Sequence, residues 1–313
     1  MAHYFDLAQQ QDIHTLARSF TGRTQWPTWL LLIAVPGAWF GLLLISPLIG
    51  AFWTLLLLIP VVVLWMSVQH ELLHGHPTRA LWFNKLLGYA PFAVWYPYTL
   101  YRDSHLLHHR DHDLTLPGID PESRYLLNRQ WPQSPKWLRG LLWLNKTVAG
   151  RVLIGPPLAL CGLATEEFAR LRQGQRQAWC MWLTHGFCTG LMCAFIAHYS
   201  VLSIWQYVFL VTVPALSVGA LRSYYEHRPA ERPEQRTVLN EAGWPWAWLF
   251  LHLNLHLVHH DMPGLPWFYL PTVYRARRAQ WIERSGGFLV EGYGTFLRNN
   301  SMRAIDSPQH PFH

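Results

Sequence analysis

The chain has 313 residues, 51% of them hydrophobic and only 14% charged, with 18 tryptophans and a formal net charge of +7. Soluble proteins carry roughly 25% charged residues, so this composition excludes an ordinary soluble domain and points to segments in a bilayer with aromatic residues at its interfaces. The positive charge sits on dispersed arginines with no basic-aromatic stripe, which speaks against a nucleic-acid binder and fits loops flanking a membrane.

The first 27 residues are polar, without a basic start followed by an apolar core, so no cleavable signal is expected. Residues 28–46 and 48–68 are uncharged and each long enough to span a bilayer, with a short break at Ser46-Pro47. Pro36 and Pro60 are tolerated in spanning helices. Residues 178–199 and 201–221 form a second uncharged pair, and His185 and His198 inside it are read as packed or hydrogen-bonded side chains. Between the hairpins the segment Trp137–Ala164 is interrupted by Gly150, Arg151 and Pro156-Pro157, which suggests interfacial or re-entrant helices rather than a span. Residues 244–258 are apolar but too short to cross, and are expected to dip into a site. Of Cys161, Cys180, Cys188 and Cys193, three lie in an apolar run and none forms a CxxC pair, so neither a disulfide framework nor a thiolate metal site is expected.

The 25 Lys and Arg avoid all four spans and both hairpin tips. The positive-inside rule then puts both termini and the central segment in the cytoplasm. The expected architecture is a single all-α membrane domain over residues 1–313. Two transmembrane helical hairpins would carry a cytoplasmic helical cap, residues 70–177 and 222–300, holding a histidine-rich two-metal site.

That site is read from four places on the cytoplasmic side. His70 and His74 stand one helical turn apart on a helix continuing from the second span, which Gly75 and Pro77 then end. His105, His108 and His109 form one HxxHH cluster, and His256, His259 and His260 a second, whose three rings could all face one point if the segment is helical. Glu226-His227 lies just past the fourth span. Gathering so many imidazoles without a metal would accumulate unpaired polar groups or positive charge.

Nine imidazoles are too many for one metal but suit two that keep positions open for oxygen. Imidazole binds zinc, copper, iron and nickel alike. Iron is favoured by what two irons can do at a membrane surface: activate dioxygen and remove hydrogen from an unactivated C–H bond, which needs a metal or another redox cofactor. His76, His112 and His252 are left over as supporting or surface residues. Glu71, Asp111, Asp113, Glu226 and Asp261 are candidates to accept a ring N–H and orient a ligand, or are solvated charges. The His70-Glu71-Leu-Leu-His74 spacing also occurs in zinc proteases, but a membrane protease leaves both HxxHH clusters unexplained. A non-enzymatic metal-binding membrane protein is a further alternative.

HELLH, HLLHH and HLVHH, in this order and topology, resemble the three histidine boxes of the integral-membrane fatty acid desaturase and hydroxylase superfamily, over roughly residues 28–275. Glu226-His227 is similar to an additional histidine of membrane alkane monooxygenases and carotenoid ketolases. The resemblance implies a mushroom-like helical fold and a di-iron centre. It also implies O2 as co-substrate and two electrons from a ferredoxin, rubredoxin or cytochrome b5. No fused donor domain is expected, so the donor would be a separate protein. The HxxxH form of the first box departs from animal-type acyl-CoA desaturases. Stretches such as WYPYTLYRDSHLLHHRDHDLT are similar to bacterial desaturase-like proteins, which implies a bacterial inner membrane. Desaturation of a lipid acyl chain is the leading expectation, ahead of a hydroxylase or ketolase of an acyl chain, alkane or carotenoid.

Overall fold

Residues 3–312 are described by the computed structural model, apart from the side chain of Asp111. The chain is mostly helical and clusters into two compact units. A membrane unit comprises Thr28–Asp103 and Gly155–Gly219, and a histidine unit comprises the described residues before Thr28, Ser104–Ile154 and the chain from Ala220.

Five helices among the described residues are long and apolar enough to cross a membrane: Trp26–Leu44, Ser46–Leu73, Val148–Arg172, Arg176–Tyr199 and Ile204–Arg222. Four match the expected spans. The first two meet at a tight tip that reaches to Gly50, whose φ of +79° breaks the helix and favours a residue without Cβ. Val148–Arg172 differs from the expectation of interrupted interfacial segments: it is continuous through Pro156-Pro157. Its buried acid is compensated, because Glu167 pairs with Arg170 at 2.6 Å and accepts from the Trp182 indole at 2.9 Å. The last span contains a π-helical turn, Val208–Thr212. Thr212 turns its hydroxyl back to the Val208 carbonyl and accepts from the Trp95 indole at 2.8 Å.

The interior of the membrane unit is aromatic. Trp39 stacks on Phe92 with centroids 4.5 Å apart, and its indole donates to the Tyr207 hydroxyl at 2.8 Å. That hydroxyl in turn donates to the Phe92 carbonyl at 2.7 Å. A polar chain buried in this way is favourable only because each member is satisfied. His185 follows the same logic, its Nε2 donating to the Val94 carbonyl at 2.6 Å.

The histidine unit is built around a core of Ile13, Leu239, Leu255, Leu257, Val258 and Trp281 with their neighbours. The N-terminal helix Leu7–Arg18, capped by the Asp6 carboxylate, inserts Ile13 into that core. A two-residue parallel sheet pairs Leu239–Asn240 with Leu289–Val290. The segment 244–258 is not one apolar helix. It forms Trp244–Leu249, then a turn with Leu251 and His252 at φ +48° and +59°, then the short helix His256–Asp261.

Replacing Tyr207 by Phe removes a hydroxyl that serves two buried partners. It is expected to destabilise the membrane unit by about 1–3 kcal/mol, measured as a lower thermal midpoint in detergent; an unchanged midpoint would show that the polar chain carries no stability.

Candidate metal centre

In the membrane unit His70 lies on the last turn of Ser46–Leu73, and His74 caps that helix before Gly75 turns the chain at φ +88°. Their rings are 4.7 Å apart. His70 is 1% exposed, and its Nδ1 lies 3.8 Å from the Glu71 carboxylate. His76 is also buried, which pushes its pKa down to about 4.

The other seven candidate histidines all belong to the histidine unit. Helix Tyr98–His108 carries His105 and His108, and a helical bond from His109 N to the His105 carbonyl extends its geometry to His109. The Nε2 atoms of His105 and His109 lie 3.0 Å apart, and His259 Nε2 is 3.1 Å from His109 Nε2. His108 points elsewhere: its Nε2 lies 3.0 Å from His227 Nε2, which is 3.1 Å from His256 Nε2. His260 joins this second set, all four donor atoms lying within 4.8 Å of one another.

The expectation that His256, His259 and His260 face one point is therefore corrected. On a helix the i, i+4 pair lies closer in angle than the i+3 member. Each HxxHH box accordingly sends its i, i+4 pair to one set and its remaining histidine to the other. His105 and His109 receive His259, while His256 and His260 receive His108.

Hydrogen bonding alone does not account for these contacts. A neutral imidazole nitrogen is either one donor or one acceptor, yet His227 Nε2 and His109 Nε2 each approach two other ring nitrogens at 3.0–3.1 Å. A shared cation does account for them.

The electrostatics agree. Burial holds His227, His256 and His260 well below the usual imidazole range, reinforced by neighbouring rings, and does the same to His109. Burial also lowers His105. These rings are neutral at pH 7 and offer lone pairs. His108 is the exception. Burial works to lower it, but Glu122 and Asp120 together outweigh burial and push it up to about 9.

The carboxylates responsible escaped the sequence reading. Asp120 accepts from His108 Nδ1 at 2.8 Å, and Glu122 from His105 Nδ1 at 2.8 Å. Asp120 is itself fixed by the backbone N–H groups of Thr115 and Glu122, both at 2.9 Å. His227 has its Nδ1 3.2 Å from the Thr237 hydroxyl, across an antiparallel bridge between the two residues. Holding each Nδ1 from outside leaves Nε2 facing inward. The only sequence signal was the acidic Asp-Pro-Glu turn downstream of the second box, and nothing in helical spacing connects it to that box.

The candidates nominated as supports fare unevenly. Glu226 is buried 3.8 Å from His256 Nδ1 and pairs with Arg222 at 3.1 Å. Asp261 is gripped by the Arg284 guanidinium at 2.5 and 2.9 Å. His112 is exposed and Asp113 half-buried on the turn Asp111–Asp113, and the side chain of Asp111 lies outside the described residues. His252 stacks on Trp267 at 6.0 Å beside Trp248, with burial pushing its pKa down to about 4.

The sequence model of a family described as fatty acid desaturase matches residues 50–289. No curated protein matches the chain.

If Asp120 orients His108, Asp120→Asn should weaken metal retention by about 10- to 100-fold. Competition with a chelator, followed by metal analysis, measures this; retention equal to that of the unmodified protein would remove Asp120 from that role.

Proposed function

The chain belongs to the fatty acid desaturase family, and from that membership we propose that it desaturates a lipid acyl chain, using O2 at two irons held by histidines. Membership makes it a lipid-modifying oxidoreductase, and the five apolar helices make it an integral membrane protein. The proposed reaction takes two hydrogens from adjacent methylenes. With O2, two electrons and two protons it yields an alkene and two waters. Hydroxylation by the same centre would instead return one oxygen to carbon and release one water.

One observation carries the assignment: two sets of Nε2 atoms converge, each through a nitrogen that touches two others. We assign His105, His109 and His259 to one iron and His108, His227, His256 and His260 to the other. His70 and His74, whose HELLH spacing resembles the first histidine box of the family, complete the nine proposed ligands. Iron supplies the redox chemistry that activates O2 toward a C–H bond.

The residues of the chain prepare the site for that ion. Burial keeps most of the rings neutral, so that their lone pairs remain available. Asp120, Glu122 and Thr237 engage Nδ1 of His108, His105 and His227, which fixes the tautomers and the ring planes. Electrons come, on this reading, from a separate protein of ferredoxin, rubredoxin or cytochrome b5 type. The absence of Lys and Arg from the four spans read in the sequence supports a cytoplasmic site, and the resemblance to bacterial desaturase-like proteins supports a bacterial inner membrane.

Lipid mass spectrometry of cells with and without the protein tests the reaction. Desaturation predicts products lighter by about two mass units, and hydroxylation products heavier by about sixteen. His259→Ala should reduce the product more than about 100-fold while the protein stays in the membrane. Undiminished product would take His259 out of the ligand set, and one zinc per chain without O2 consumption would overturn the iron reading.

A further inference from the structure

Beside the second histidine set, the histidine unit contains an open pocket lined by Arg124, Lys146, Arg151 and His227, and also by the carboxylates Asp120, Glu122 and Glu226. Its cations are unequally compensated. Lys146 pairs with Asp306 at 2.9 Å, and Asp306 also accepts from the Tyr125 hydroxyl. The C-terminal segment brings this acid into place, with Ile305 N donating to the Lys146 carbonyl at 2.9 Å.

Arg124 donates to the Ser223 carbonyl at 2.5 Å and to its hydroxyl at 2.7 Å, both neutral acceptors. Arg151 is 5% exposed, and its buried Nε has no hydrogen-bond partner among the described residues. No carboxylate among those residues forms an ion pair with either arginine. The carboxylates of the pocket are engaged by His108, His105 and Arg222, so Arg151 is buried with no carboxylate bonded to it, which is costly for a guanidinium.

The remedy that guanidinium geometry favours is an oxyanion, because a planar fork matches carboxylate or phosphate oxygens in pairs. We propose that this pocket binds a phosphate or carboxylate group between Arg124 and Arg151, with the Ser223 hydroxyl beside it. The group is either the end of a lipid or a free anion. The proposal rests on the arginines and stands whether or not the histidines hold iron.

Thermal unfolding of the full chain in detergent tests it, with inorganic phosphate, octanoate, or micelles containing phosphatidylglycerol as probes, and sodium chloride at matched ionic strength as the control. A saturable rise of about 5 °C at ligand concentrations far above Kd with phosphate identifies a free-anion site. A rise with octanoate or phosphatidylglycerol alone identifies a lipid end-group. In either case Arg151→Met should abolish the rise and, in anion-free buffer, unfold no lower than the unmodified protein, since it removes a buried charge that no carboxylate bonds directly. If Arg151→Met fails to fold, Arg151→Lys and Arg124→Lys keep the charge but lose the fork, and should shrink the shift. No rise with any probe, or an equal rise in all the variants, overturns the proposal.

Discussion

The histidine unit depends on a single constraint: lone pairs of buried, mostly neutral imidazoles must be made to point at one another. Left alone they would rotate to find donors or take up protons. The protein prevents this from the outside, where Asp120, Glu122 and Thr237 occupy the opposite ring nitrogens. These supports are fixed in turn by backbone. Val238, next to Thr237, donates its N–H to the Glu226 carbonyl and accepts at its own carbonyl from Leu257 N. One extended residue therefore ties the His227 segment to the helix bearing His256, His259 and His260. The adjoining Asn240 is bonded in both directions to Asn254, fixing the turn that precedes that helix.

The membrane unit follows a related rule in a different medium. Among lipid-facing helices there is little hydrophobic gain in helix association, and packing with satisfied polar contacts has to serve. The Trp39–Tyr207–Phe92 chain and the indole of Trp95 on Thr212 are contacts of this kind. The π-turn at Val208–Thr212 carries the Thr212 hydroxyl that accepts from Trp95.

Much of this was legible in the sequence, because its determinants are local. Uncharged runs of span length, the left-handed glycine after His74 and the i, i+4 spacing of the histidines all act within a few residues. The family resemblance seen in the three boxes agrees with the match over residues 50–289. What escaped depends on distant pairing. Asp120 and Glu122 reach their rings only because a loop folds back, and Thr237 meets His227 only through a bridge. The turn at Leu251–His252 separates His252 from the helix bearing His256, His259 and His260 by backbone conformation, which a run of four similar histidines conceals. The continuity of the helix through Pro156-Pro157 was hidden by its two prolines, and its acid Glu167 is tolerated because Arg170 and Trp182 engage it.

The crossed membership of the two HxxHH boxes has a mechanical consequence. His108 and His109 are neighbours in sequence, as are His259 and His260, and each pair is split between the two sets. Adjacent residues on a helix diverge by about 100°, so one peptide unit on each of two segments acts as a ruler between the centres. The backbone part of that ruler is fixed, and a twist of either helix displaces both histidine sets at once.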